Sequence, residues 1–204
     1  TEVNNNIIKF FSMKSATLGT KLLTNAFYSL FPDFNIETAS DIQKICYVVV
    51  KWNTGQTKEA LEDMSNLIQT LNGQLLLDTH YMYANWIIEY DSSLKGLKEA
   101  YEHLKAILDS GNRANSNNND SNKGNRRIRR SLSESTSGLI IPAQIFKEMT
   151  SNTTQVDLLR KWSDVNASLI SLDNSNTILY VTNAINSLAR CAQLQPGFQD
   201  IVLL

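Results

Sequence analysis

Cys46-Tyr47-Val48-Val49-Val50-Lys51-Trp52-Asn53-Thr54-Gly55-Gln56-Thr57-Lys58-Glu59-Ala60-Leu61 is the stretch on which the fold turns. It reads as an apolar helix running to Trp52, a break at Asn53-Thr54-Gly55, and a second helix opening at about Gln56. Ala60 lets two helices approach closely, while Leu and aromatic positions fill the seam between them. Val48 to Val50 also fits a short β-strand, because β-branched residues cluster there, but the helical stripe continues on both sides.

Working outward, Ser40 is placed to cap the first helix, whose stripe is Ile42, Ile45, Cys46, Val49 and Val50. The second carries Ala60, Leu61, Met64, Leu67, Ile68 and Leu71 on one side and Lys58, Glu59, Glu62 and Asp63 on the other. It is expected to end at Asn72-Gly73, where a left-handed cap is easy. Residues 74–90 and 93–109 repeat the hairpin around the turn Asp91-Ser92-Ser93. Leu97-Lys98-Glu99-Ala100-Tyr101-Glu102-His103-Leu104 supplies the small residue and the seam of that second unit. Upstream, Ile7, Phe10, Phe11, Leu18, Leu22, Leu23, Phe27 and Leu30 mark one or two amphipathic helices closed by Phe31-Pro32-Asp33.

The expected fold is all-α, with antiparallel hairpins stacked as a TPR/HEAT-like α-solenoid. Three regions follow. Residues 1–110 hold hairpin repeats. Residues 111–137 form an Asn/Ser/Arg-rich insertion with seven asparagines between Asn112 and Asn125, too poor in apolar side chains to offset its ordering entropy and so expected to be disordered. Residues 138–204 hold further helical repeats, and the apolar ending Ile201-Val202-Leu203-Leu204 reads as a cut through a longer polypeptide.

Composition narrows the function. A chain of 204 residues with 42% hydrophobic residues can bury a substantial core. Nineteen basic against twenty acidic residues give a net charge of -1, which argues against a dedicated nucleic-acid binder. Only three prolines and eight glycines suit long helices. Cys46 and Cys191 lie far apart inside apolar stripes, which suggests neither a disulfide framework nor a zinc site and fits a reducing, intracellular setting, nuclear or cytoplasmic. No apolar run reaches the roughly twenty residues needed to span a bilayer, so no membrane association is expected. Asn119, Asn152 and Asn166 begin Asn-x-Ser/Thr triplets, read as chance in an Asn-rich intracellular chain.

No catalytic constellation stands out. His80 and His103 are read as standing alone, with no acidic or thiol partner at ligand spacing such as i+4 on the same helix face, which favours a structural or surface role. Glycines 19, 55, 73 and 96 are isolated and form no phosphate loop, and no nucleophile elbow is present. No catalytic, cofactor-binding or metal-binding residue is therefore assigned. Trp52, Trp86 and Trp162 sit on helical stripes and are read as packing anchors. The sharpest local motif is Arg126, Arg127, Arg129 and Arg130, a basic interaction motif. Ser131 and Ser133 follow it as candidate phosphoacceptors, Ser133 at a spacing basophilic kinases accept; phosphate there would partly cancel the cluster.

The phrase from Cys46 to Leu61 resembles the apolar-helix, Trp, Gly and Ala-Leu pattern of the helical FAT region of the phosphatidylinositol-3-kinase-related protein kinases (PIKKs). Asp78-Thr79-His80-Tyr81-Met82-Tyr83-Ala84-Asn85-Trp86 is similar to that region's aromatic-Ala-Trp helix, and Val181 to Leu204 to the helix pair beyond a polar insertion. The likeness covers residues 42–204, without the family's Leu-Trp ending. It implies a non-catalytic scaffold segment of a very large serine/threonine kinase, whose ATP site lies elsewhere and whose partners are proteins and the rest of that chain. The competing reading is a stand-alone TPR-like adaptor that binds partner peptides.

Overall fold

The computed structural model describes Ile8, Phe11 and residues 19–117 and 155–194. Among these residues every regular element is helical, with no strand. The helices are α1 (Thr20–Leu30), α2 (Asp41–Asn53), α3 (Thr57–Ile68), α4 (Gly73–Tyr90), α5 (Leu94–Asn117), α6 (Gln155–Leu172) and α7 (Thr177–Leu194), with a 3-10 turn at Asn174–Asn176 before α7. Two compact units result, Thr1–Thr79 and His80–Leu204, the division falling within α4.

In the first unit, α2 starts where its cap dictates. Ser40 Oγ accepts from the Gln43 amide at 3.4 Å and the Gln43 side chain accepts from the Ser40 amide at 2.9 Å, a reciprocal capping box. The helix stops at Asn53, and beyond the cap residue Thr54 the chain turns through Gly55, whose φ of 89° is costly for any side chain bearing a Cβ. There the Gln56 amide reaches back to the Lys51 carbonyl at 3.0 Å, the long bond of a Schellman motif. Val48, Val49 and Val50 are buried within α2, so the strand alternative is excluded: their β-branched chains face apolar neighbours along an unbroken helical ladder.

α2 and α3 pack as a hairpin over Ile45, Val49, Ala60 and Met64, joined at the rim by Lys51 and Asp63 at 2.6 Å. α1 docks through Leu23 and Phe27. Fully buried Phe27 is ringed by Phe11, Phe31, Phe34 and Tyr47 at centroid distances of 5.0 to 5.7 Å, edge-on or tilted as ring quadrupoles prefer. α3 ends at Ile68, short of the expected Asn72-Gly73, because its last carbonyls are taken up by a tight turn through Gln69 and Thr70. Gly73, with φ 59°, opens α4 instead of closing α3.

In the second unit His80 meets His103 and Tyr83 meets Glu99, pairings that run in opposite directions and make the His80–Tyr90 part of α4 antiparallel to α5. Gly96 is required at the start of α5, since an added Cβ would collide with the Asp91 backbone oxygen. Helix α5 continues to Asn117, beyond the expected stop at 109–110. The remainder of the expected insertion lies outside the described residues. α6 and α7 pack as an extensive pair, antiparallel because Val156 meets Cys191, Ser163 meets Ala184 and Asn166 meets Asn183. Trp162 of α6 stacks on Tyr101 of α5 at 4.5 Å, and Trp86 and Trp162 are both buried as packing anchors, whereas Trp52 is half-buried.

Ala60 is fully buried in the α2–α3 seam. Replacing it with Leu adds methylenes where backbones meet and is expected to cost about 1–3 kcal/mol. Lys58→Leu on the exposed face should stay within about 0.5 kcal/mol, so urea melts of the two variants test the seam.

Candidate functional site

Arg126, Arg127, Arg129, Arg130, Ser131 and Ser133 all lie outside the described residues. Within the described residues four features remain: a histidine pair, a buried carboxylate cluster, a groove, and an uncovered helix face.

The histidines do not stand alone. His80 Nδ1 lies 2.7 Å from His103 Nδ1, so one ring donates its Nδ1–H and the other accepts. The Tyr83 and His103 rings meet edge to face at 4.7 Å, and the Tyr83 hydroxyl donates to Glu99 Oε1 at 3.0 Å. Glu99 lies one helical turn before His103, so the acidic neighbour is upstream of the histidine, and the second imidazole comes from the facing helix. Spacing within one helix could not reveal that partner. Burial, then the neighbouring His80, pushes the His103 imidazole down to about 4, and burial lowers His80 as well. Two neutral rings sharing one proton form a polar latch between α4 and α5. No group of three or more metal-ligating side chains occurs among the described residues.

Asp173 caps the turn between α6 and α7, accepting from the Ser175 amide at 3.2 Å. Its Oδ2 also receives Lys98 Nζ at 2.8 Å and the Tyr180 hydroxyl at 2.9 Å. The Lys98 ammonium, with help from Tyr180, holds this carboxyl well below the usual range, while burial and the adjacent carboxylate push the Tyr180 phenol up. The carboxylate is only 5% exposed, covered by its own partners. With its oxygens so occupied it acts as a brace joining α5 to the α6–α7 turn. Asn166, fully buried, donates to the Trp162 carbonyl and accepts from Asn183, so its glycosylation triplet is closed to modification in the fold. Both thiols are buried and free, and desolvation pushes Cys46 up to about 12, which leaves it unreactive as a nucleophile.

The groove belongs to the first unit. It encloses about 540 Å³ between the loop before α2, α2 itself and α3. Phe34, Tyr47, Val48 and Leu67 form its apolar walls, with Lys44, Lys51 and Asp63 at its edge. Burial disfavours the Lys51 ammonium, but the hydrogen bond and charge of Asp63 outweigh this and hold it above its usual range. The helix face belongs to the second unit: Ile178 is 85% exposed and Ile185 59%, with Leu172, Leu179 and Leu194 also exposed near them in sequence.

No protein-family model, curated protein or solved structure matches the chain.

The histidine latch makes stability pH-dependent. Because the folded His103 and His80 titrate below their unfolded values, the unfolded chain takes up protons first as pH falls. Their contribution is complete above the unfolded value of about 6.5 and fades as pH drops towards about 4. Melting temperatures recorded across that window should fall for the native chain and fall less for His103→Phe, the remaining slope coming from carboxylates. Equal slopes would contradict the latch.

Proposed function

We propose that the chain is a non-catalytic helical scaffold segment of a large PIKK-like serine/threonine kinase, part of a TPR/HEAT-like α-solenoid that supports or restrains the kinase domain through protein contacts. The observation that carries the scaffold reading is the outer face of α7. Ile178, Thr182, Ile185 and Ala189 share that face at helical spacing, and all four are exposed. Arg190 is the one charged side chain between Thr177 and Leu194. An uncharged helix face with two largely exposed isoleucines is costly to leave in water and suits burial against another protein surface. The sequence phrases from Cys46 to Leu61 and from Asp78 to Trp86 support the kinase-family half of the proposal, since both fall on amphipathic helices or their turns. In such a scaffold, partner binding acts through small displacements of packed hairpins.

The second reading is a stand-alone TPR-like adaptor binding partner peptides, and the groove beside α2 and α3 favours it. The native reading frame separates the two: the kinase reading requires a kinase signature downstream of this segment. The scaffold face has its own test. Sedimentation should find the native chain associating with itself as concentration rises, whereas Ile178→Glu with Ile185→Glu should remain monomeric at an unchanged melting temperature. A native chain as monomeric as that variant would remove the support that α7 gives.

A further inference from the structure

We propose that the groove between α2, α3 and the loop before α2 binds a peptide segment in which a large apolar side chain stands next to a carboxylate. The inference rests on the protein-contact reading above and names a site and a partner chemistry for it.

Size and lining come first. A space of about 540 Å³ lies within the range of ligand-sized clefts, roughly 300–1,000 Å³. Phe34, Tyr47 and Leu67 offer apolar walls, and the Phe34 and Tyr47 rings pack against each other at 4.8 Å with planes tilted by 33°, giving a continuous aromatic wall. Ile36 stands at the mouth, 49% exposed, an aliphatic side chain whose burial the fold leaves incomplete. A Leu or Phe side chain entering the groove would cover it.

Charge then selects the neighbour of that side chain. Two ammonium groups line the groove, and they are not equivalent. Lys51 is neutralised by Asp63 at 2.6 Å and lies 5.2 Å above the Tyr47 ring. Lys44 makes no ion pair among the described residues. The groove thus presents one uncompensated cation beside an apolar cleft, complementary to a carboxylate adjoining an apolar side chain. Asn66 on α3 adds an exposed amide at the rim, able to hydrogen-bond an extended peptide backbone.

The test uses the full 204-residue chain and fluorescein-labelled decapeptides, a Leu-Asp or Phe-Glu pair set among Ser and Gly, read by anisotropy. Saturable binding is expected, with amide chemical-shift changes confined to residues 34–70. Lys44→Glu should weaken it on the order of tenfold and restore binding to the matching Leu-Lys peptide. Ile36→Ala, at an exposed loop position, should weaken it without changing the fold. Absence of saturation, indifference to Lys44→Glu, or equal binding of decanoate with no peptide preference would each overturn the proposal. The Ile178→Glu, Ile185→Glu variant separates the two ideas. If that variant abolishes association while no peptide binds the groove, the scaffold stands and the groove proposal fails. If peptides bind but α7 mediates no association, the groove stands and the scaffold reading loses its support.

Discussion

A helix with one apolar stripe has little stability by itself in water, and the described helices of this chain depend on neighbours to cover such stripes. That requirement explains why the elements come as antiparallel pairs. Short connections, such as Thr54-Gly55-Gln56 between α2 and α3, return the chain beside itself before the stripe can be left in water. Alanines at the seams, Ala60 in the first unit and Ala84, Ala100 and Ala184 in the second, are buried at positions where a larger side chain would push backbones apart.

Apolar burial alone does not choose one register among several, because a stripe can slide by a turn and remain buried. In the second unit polar contacts make that choice costly to change. Asn166 and Asn183 meet across the α6–α7 seam, Ser163 reaches the Ala184 carbonyl, and Asp173 gathers Lys98, Tyr180 and the Ser175 amide at the corner. Sliding α7 by one turn would leave these groups buried without partners, which is penalised more heavily than the contacts are favourable. The first unit relies more on ring packing around Phe27, where shape fixes the arrangement.

The surfaces left after this packing carry the functional argument. The α7 face is uncharged and exposes two isoleucines, and the groove beside α2 pairs an apolar cleft with the ammonium of Lys44. Neither resembles a reaction centre. The nearest approach to one, the His80–His103 pair, joins two neutral imidazoles through one hydrogen-bonded proton, and its consequence is acid sensitivity of the α4–α5 hairpin.

The sequence by itself determined the helical class and most element positions, because these depend on side-chain periodicity and on local caps such as the Ser40–Gln43 box, which act within a few residues of chain. The break at Gly55 was legible for the same reason. The α3 end was misplaced because a turn at Gln69 and Thr70 competes with a glycine farther on, and propensity cannot rank the two. The histidine pair, the Asp173 brace and the groove were hidden, since each joins side chains from different elements: His80 and His103, Lys98 and Asp173, Tyr47 and Leu67. Only the tertiary structure decided those pairings, because distance in space between two helices is set by how their faces interlock and is not encoded in either stripe alone.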